Sequence, residues 1–304
     1  MAADFESHYQ TVFGDEWTSL KSALLRARQH VARLTRMGVR QGVLPEGIPE
    51  TLELPGCFDV REFEVLEAME QHPDAFYLMD LASVLAVKTL LKHPAKSSWD
   101  VCAAPGGKAL MLLESLAEGD ALMLTDLSRP RLEKLKQVIR RYHGQDAFEL
   151  PQLKLAAADG IDWGYRHQQR YDRVLLDAPC SSERHVLGDA KALAQWSPHR
   201  VKSLAKRQYG LLCSAVLATR PGGVVLYSTC SIHPSENDGV IERYLQKKTD
   251  AELLPVTAPI GRATRYGWMI RPDLDDGWGP MYFTLLRRCN DDSTPVDPST
   301  MIVP

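Results

Sequence analysis

The chain has 304 residues, 44% of them hydrophobic, which is enough to bury the core of one large domain with a smaller appendage. A net charge of -3 does not suit a protein that coats nucleic acid over its whole surface. Since no run approaches 18 apolar residues and the first ten residues carry acids rather than lysines, we expect a cytoplasmic monomer with no membrane partner. Six widely spaced cysteines form no CxxC pair, which predicts free thiols and no metal site.

The first 75 residues predict a small helical appendage. Residues 17–37 keep an apolar rhythm of about 3.6 residues, which indicates a helix ended by Gly38. A Pro/Gly-rich loop follows over 45–56, and 60–69 and 78–91 predict two more helices. No acidic residue occurs between Lys21 and Leu44, and the basic residues of this acid-free run are Lys21, Arg26, Arg28, Arg33, Arg36 and Arg40. Such density favours contact with phosphate groups, with a solvated helix face as the alternative.

From residue 99 onward, short apolar runs alternate with longer helical segments, which is typical of a parallel sheet with crossover helices. The predicted strands are 98–103, 121–126, 153–157, 173–177, 224–228, 265–271 and 281–287, and the predicted helices are 108–117, 129–143, 201–219 and 234–246. About seven strands predict an α/β, doubly wound Rossmann-like domain over 76–290, with ligands beyond the carboxyl ends of the strands. The Asp-, Ser-, Thr- and Pro-rich segment 291–304 predicts a flexible tail.

The first of these strands ends in a loop of small residues, Asp100-Val-Cys-Ala-Ala-Pro-Gly-Gly-Lys108. Small residues let the backbone approach a ligand, and the next helix presents its amino terminus to a carboxylate or phosphate. A P-loop would need Gly in place of Cys102 and Ser or Thr in place of Ala109, and a dinucleotide fingerprint would need glycines at 102 and 104. The loop therefore predicts a smaller, less phosphorylated cofactor.

Two acidic residues follow the next two strands. Asp126, about twenty residues beyond the glycine loop, stands where an acid accepts hydrogen bonds from ribose hydroxyls, although Asp126 or Ser128 could instead cap the helix that begins near Pro130. By the same logic Asp159 would reach an adenine edge, with a turn residue as the alternative.

Two cysteines follow the last two parallel strands, in Asp177-Ala-Pro-Cys-Ser-Ser182 and Tyr227-Ser-Thr-Cys-Ser231. The strands are neighbours in the doubly wound order, so we expect the thiols of Cys180 and Cys230 to lie close together. A disulfide is the competing interpretation, but a reducing compartment makes a stable one unfavourable. A thiol suits a reaction that passes through a covalent adduct, since the thiolate is a strong nucleophile and a fair leaving group.

These three motifs, in this order and at these distances, resemble the RsmB/NSUN family of RNA 5-methylcytosine methyltransferases, over roughly residues 76–288. Tyr77-Leu-Met-Asp-Leu-Ala-Ser83 is similar to the family's lead-in helix, and Trp278-Gly-Pro-Met-Tyr282 is similar to the carboxyl end of its compact members. The resemblance implies a class I methyltransferase that uses S-adenosyl-L-methionine. The cofactor contacts that it implies are Cys102, Ala103, Ala104, Pro105, Gly106, Gly107, Lys108, Asp126, Arg131, Asp159 and Asp177.

The resemblance also implies that Cys230 is the nucleophile and that Cys180 assists its release. Carbon 5 of cytosine is a weak nucleophile, so attack of a thiolate on carbon 6 would activate it, with Asp177 hydrogen-bonded to the ring's N3 or amino edge. We expect RNA to contact the appendage and the face with Arg200, Lys202, Lys206 and Arg207.

Ribosomal RNA is the first expected substrate, in rRNA processing, and transfer RNA the second. A noncatalytic RNA-binding or ribosome-assembly factor would need neither cysteine, and a redox protein is disfavoured by the missing CxxC pair.

Overall fold

The computed structural model of the protein describes residues 4–43 and 50–289. The α-helices are α1 (Phe5–Phe13), α2 (Trp17–Leu25), α3 (Arg36–Arg40), α4 (Phe63–Gln71), α5 (Leu81–Leu91), α6 (Gly107–Glu114), α7 (Arg129–Tyr142), α8 (Gly160–Arg166), α9 (Glu183–Gly188), α10 (Ala190–Ala194), α11 (Pro198–Ala218) and α12 (Asp238–Lys247). The strands are β1 (Val31–Leu34), β2 (Cys57–Asp59), β3 (Phe76–Met79), β4 (Ser97–Asp100), β5 (Ala121–Asp126), β6 (Leu153–Ala157), β7 (Tyr171–Asp177), β8 (Thr219–Thr229), β9 (Ala251–Leu254), β10 (Arg262–Ala263), β11 (Trp268–Ile270) and β12 (Met281–Arg288).

The main sheet has the order β10-β11-β12-β8-β7-β4-β5-β6, and β9 pairs with β12. Strands β4 to β8 run parallel to their neighbours, whereas β12 is antiparallel to β8. The chain passes from β4 to β5 and β6 on one side, and then to β7 and β8 on the other. The order therefore reverses between β4 and β7, the position at which doubly wound sheets bind ligands. The α/β doubly wound prediction is confirmed.

Apolar side chains cover both faces of this sheet. Along β7, Leu175 packs in the core formed with α5, α6 and α7, while Val174 and Leu176 pack in the core formed with α11, α12, α1 and α2. Successive side chains of a strand point to opposite faces, so a strand buried on both faces is apolar without interruption. This is why the strand predicted over 121–126 agrees with β5 residue for residue. The prediction over 153–157 also matches β6, although β6 is an edge strand and Lys154 is exposed.

The amino-terminal segment is a mixed α/β unit. The helix predicted over 17–37 is wrong in its second half, because α2 ends at Leu25 and Val31–Leu34 forms β1, paired antiparallel with β2 and β3. Apolar residues at 31 and 34 fit either structure, and hydrogen bonding to two neighbouring strands decides for the strand. Gly38 lies within α3, where a Cβ would be 2.6 Å from the Ala75 carbonyl oxygen, so it permits close packing and does not end a helix.

The appendage's sheet extends beyond residue 75, the predicted boundary, because β3 pairs with β1. The helix predicted over 78–91 is the end of β3 followed by α5, and the Asp80 carboxylate accepts a hydrogen bond from the Ala82 N–H at the start of that helix. The short strands β9 and β10 were not predicted. Part of the loop predicted over 45–56, and the whole predicted tail, lie outside the described residues.

Candidate active site

The loop after β4 and the α6 terminus form one wall of a cavity of about 200 Å³. Gly106 has φ 129°, and a Cβ on Gly107 would lie 2.8 Å from Cε1 of Tyr77. Neither position accommodates a larger residue without strain or displacement. The lining residues are Arg28, His30, Tyr77, Leu78, Met79, Asp80, Ser83, Asp100, Cys102, Ala103, Ala104, Pro105, Gly106, Gly107, Lys108 and Asp177. The predicted cofactor residues 102–108 and Asp177 are thus brought together.

Asp126 and Asp159 do not line this cavity. The buried Asp126 carboxylate accepts hydrogen bonds from the Ala104 and Ser128 N–H groups and lies 3.3 Å from Arg131 Nη1, so it stabilises the loop without lining the cavity. Ser128, not Asp126, caps α7. Asp159 caps α8 and forms a 3.1 Å ion pair with Arg207. Their contacts with ribose and adenine stay predictions.

Lys108 and Asp177 form a partly buried ion pair that lines the cavity. Lys108 Nζ donates to Asp177 Oδ2 at 2.9 Å, and the Ser228 hydroxyl donates to Oδ1 at 2.9 Å. Burial lowers the pKa of Lys108, but the Asp177 carboxylate outweighs it and the pKa is raised overall. The ammonium group is therefore charged, and both oxygens of Asp177 are held in fixed directions.

The thiols of Cys180 and Cys230 are in contact, as the adjacent strands β7 and β8 predict. Their sulfur atoms are 3.3 Å apart, and the Ser182 hydroxyl oxygen lies 3.4 Å from Cys180 Sγ and 3.2 Å from Cys230 Sγ. Ser182 has φ 52°, a left-handed backbone conformation that directs the chain into α9. The contact of Ser182 with the two thiols could not be predicted from the sequence, because it depends on the conformation of this turn.

The two thiols differ in acidity. A hydrogen bond from the Cys180 thiol, the Ser182 hydroxyl and the Lys108 charge lower the pKa of Cys230 against the effect of burial. The hydrogen bond to Cys230, followed by burial, raises the pKa of Cys180. Cys230 is therefore the thiol that ionises and Cys180 the thiol that donates, in a pair where the thiolate is the reactive form.

Asp100, the last residue of β4, is a site residue that the sequence prediction missed. Its carboxylate is buried, and neither oxygen has a hydrogen-bonding partner of good geometry among the described residues. Burial, followed by repulsion from Asp177, raises the pKa of Asp100 well above its usual value, although Lys108 and the Cys102 amide offset part of this rise. An unpartnered carboxylate in the cavity wall fits a ligand that brings a positive charge. Its position at a strand end, as the first residue of the loop motif, was the available signal.

Part of the acid-free run is neutralised by acidic residues that are distant in sequence. Arg33 pairs with Glu114, Arg36 hydrogen-bonds His143, and Arg40 pairs with Asp146 at 2.7 Å. Arg26 and Arg28 have no ion pair within residues 4–43 and 50–289, and Arg28 lines the cavity. The arginines of this run that have no ion pair within the described residues are therefore Arg26, Arg28 and Arg36, and these stay open to phosphate groups.

Two negative findings apply to the described ranges. No helix there is long and apolar enough to cross a membrane. Over the same residues, no group of three or more His, Cys, Asp and Glu side chains is arranged to hold a metal ion.

Comparison with known proteins gives consistent results. The model of the family described as 16S rRNA methyltransferase RsmB/F matches residues 87–275. The 5-cytosine rRNA methyltransferase NSUN4 of Mus musculus is 30% identical over 334 residues, which cover 94% of this chain and 87% of that protein. The mitochondrial tRNA (cytosine(34)-C(5))-methyltransferase of Mus musculus is 28% identical over 319 residues, which cover 93% of this chain and 89% of that protein. The structure of NSun6 from Pyrococcus horikoshii with SFG has a TM-score of 0.73 at 18% identity, over 95% of this chain and 98% of that one, and shows the same fold.

Proposed function

This chain belongs to the RsmB/F methyltransferase family, and on that premise we propose that it methylates carbon 5 of a cytosine in ribosomal RNA. It is an enzyme, an S-adenosylmethionine-dependent RNA cytosine-5 methyltransferase. The rRNA substrate is supported by the relatives named for rRNA, and tRNA is the second candidate because a relative of similar identity acts on tRNA.

The observation that carries the chemistry is the contact between an acidified and a protonated thiol beside a fixed carboxylate. The Cys230 thiolate adds to carbon 6 of cytosine, forming a C–S bond and moving the electron pair of the 5,6 double bond toward carbon 5. Asp177, fixed by Lys108 and Ser228, contacts the N3 and amino edge of the ring, where charge develops. The target base has to leave its stack to reach the thiol pair.

S-adenosylmethionine, when bound, supplies the methyl group from its sulfonium. The loop 102–108 and the Asp100 carboxylate would hold it, since close backbone approach and an unpartnered buried carboxylate both fit a cationic ligand. After transfer, a base takes the proton from carbon 5, the C–H electron pair restores the 5,6 double bond, and the C–S bond breaks with its electron pair on sulfur, which returns Cys230 as a thiolate. The Cys180 thiol, 3.3 Å away, donates a hydrogen bond to that leaving sulfur.

Replacing Asp100 by asparagine should raise the KM for S-adenosylmethionine roughly 10- to 100-fold, because a charge-assisted contact is lost. The KM for RNA should stay within about threefold of wild type, as judged by steady-state transfer of labelled methyl groups. Asp146→Asn, which alters an exposed carboxylate paired with Arg40, is the matched control. An unchanged KM for the cofactor in Asp100→Asn would remove Asp100 from the cofactor site.

We also propose that RNA lies across the start of α11, where Arg200, Lys202 and Lys206 are exposed and have no ion pair within the described residues. The double variant Lys202→Ala/Lys206→Ala should weaken RNA binding and reduce the slope of log affinity against log salt by about 2, since each phosphate contact contributes about 1. Arg40→Ala, at an arginine paired with Asp146, should leave the slope unchanged. Equal slopes in the double variant and wild type would place the RNA elsewhere.

Bisulfite sequencing of RNA from cells that lack the protein tests the substrate. Loss of 5-methylcytosine at an rRNA position supports the proposal, whereas loss only at a tRNA position favours the second candidate. Unchanged methylation in both RNAs would contradict both candidate substrates. A cytoplasmic location belongs to the same proposal, because a reducing compartment keeps the two touching thiols reduced.

A further inference from the structure

Two glutamates lie directly behind the thiol pair, and the proposed mechanism does not use them. Residues 178–182, between β7 and α9, form the Cys180 loop, and residues 230–233, after β8, form the Cys230 loop. Glu183 begins α9 directly after the Cys180 loop, and Glu236 follows the Cys230 loop. Both side chains are fully buried. Isolated buried carboxylates are strongly unfavourable, so their presence here needs a partner network.

Each glutamate hydrogen-bonds to the cysteine loop that is distant from it in sequence. Glu183 accepts hydrogen bonds from the Ile232 N–H at 3.1 Å and the Ser231 hydroxyl at 3.0 Å, both in the Cys230 loop. Glu236 accepts from the Ser181 N–H at 3.0 Å and from the Ser181 hydroxyl, both in the Cys180 loop. The hydrogen bonds are reciprocal, and they cross between the residues that directly follow the two cysteines.

Other elements fix this carboxylate pair in place. Tyr9 of α1 donates its hydroxyl to Glu183. Gln208 of α11 donates to Glu236 Oε2 at 2.7 Å and to the Pro179 carbonyl at 2.9 Å. The amino-terminal helix and the longest helix therefore both bear on the relative position of the cysteine loops.

The number of protons available shows how the pair is charged. The Ser181 and Ser231 hydroxyls lie 3.1 Å apart, and both contact both carboxylates, which gives five close oxygen pairs. Two hydroxyls supply two protons, so one further proton on a carboxylate gives the cluster a third donor. Burial, followed by the charge of Glu183, raises the pKa of Glu236 to about 7, which agrees with one proton held by the pair.

We propose that Glu183 and Glu236 are positioning residues, which act through the Ser181 and Ser231 hydroxyls to hold the Cys180 and Cys230 thiols in contact. This inference rests on the proposed function of that thiol pair. Hydrogen bonds that set the separation of the two sulfurs affect adduct formation and release, but not the affinity for RNA or cofactor.

Replacing Glu236 by alanine should lower kcat by at least about 30-fold, while both KM values stay within about threefold, because the reacting groups are displaced while binding is unaffected. The rate at which the protein is trapped on RNA containing 5-fluorocytosine should fall in parallel, because trapping reports the Cys230 attack. Glu183→Ala should behave similarly. Glu133→Ala, at an exposed glutamate paired with Lys136, is the matched control. Unchanged kcat in both folded alanine variants would overturn the proposal, and so would a raised KM with unchanged kcat.

The variant Glu236→Gln distinguishes a positioning role of Glu236 from a role in folding alone. It also tests the proposal if the alanine variants do not fold. Its amide can donate to both serine hydroxyls and so reproduces the protonated carboxyl. We expect kcat near wild type at pH 6, and a ratio of variant to wild-type kcat that rises as pH passes 7, because only the wild type loses the shared proton. A ratio that stays flat from pH 6 to 8.5 would contradict the proposal, as would a loss as large as that of Glu236→Ala.

Other groups that face the pair do not account for such a change. Burial raises the pKa of Tyr9 and Tyr227, and the hydrogen bond to Cys230 raises that of Cys180. Burial lowers the pKa of His233 to about 4 and also lowers that of His8. The pKa of Glu236 is about 7 in the folded chain, against an ordinary value of 4.5. As pH rises from 4.5 to 7, wild type should therefore lose stability relative to Glu236→Gln.

The failure of this inference can be told apart from the failure of the proposed function. If wild type formed no 5-methylcytosine at all, the proposed function would fail. If wild type were active but the glutamate variants behaved as stated above for a contradiction, only this inference would fail.

Discussion

Replacing Cys230 by alanine should abolish methylation of cytosine in RNA, with a loss on the order of 10⁴-fold or more in kcat, the scale expected when a covalent nucleophile is removed. Without the thiolate, carbon 5 is not activated, and no other described side chain in contact with Cys180 is a comparable nucleophile. The measurement is incorporation of labelled methyl groups into RNA. Binding of RNA and of S-adenosylmethionine should remain close to wild type.

Cys213→Ala is the control for this experiment, because Cys213 lies on α11 outside the thiol pair. It should keep wild-type turnover. Residual methylation by Cys230→Ala within tenfold of wild type would mean that the reaction does not pass through this thiol.

Replacing Cys180 by alanine should have a different outcome, namely accumulation of a covalent protein–RNA adduct. Cys180 donates a hydrogen bond to Cys230 and so lowers its pKa. Without that bond Cys230 is a poorer leaving group, while the Ser182 hydroxyl at 3.2 Å still assists the attacking thiolate. Turnover should fall roughly 10²- to 10³-fold, as for loss of a general acid or base.

A denaturing gel detects the Cys180→Ala adduct as a slower band that disappears on treatment with ribonuclease. The double variant Cys180→Ala/Cys230→Ala should not form it. If the adduct instead vanished in Cys180→Ala and survived in Cys230→Ala, the roles of the two thiols would be reversed.

The parallel sheet and the strand-end motifs could be predicted because their signals are local. Buried parallel strands are continuous apolar runs, and the carboxyl ends of neighbouring strands meet at one edge. Cys180 and Cys230, fifty residues apart, are therefore in contact as predicted. Asp177 and Lys108 meet at the same edge for the same reason.

What the sequence could not predict depends on contacts between distant segments. The strand β1 follows from pairing with β2 and β3, and its apolar spacing is equally compatible with a helix. Part of the acid-free run is balanced by Glu114 and Asp146, which no local charge count includes. The burial of Glu183 and Glu236 becomes visible only when both cysteine loops are placed side by side.

Peptide mapping of a trapped adduct shows directly whether Cys230 attacks cytosine in RNA. Wild-type protein is incubated with S-adenosylmethionine and target RNA containing 5-fluorocytosine, whose fluorine cannot leave as the proton does, so the adduct persists after methyl transfer. We expect one cross-linked peptide, joined to a methylated base through Cys230. A cross-link through Cys180, or no cross-link from RNA that the protein methylates, would contradict it.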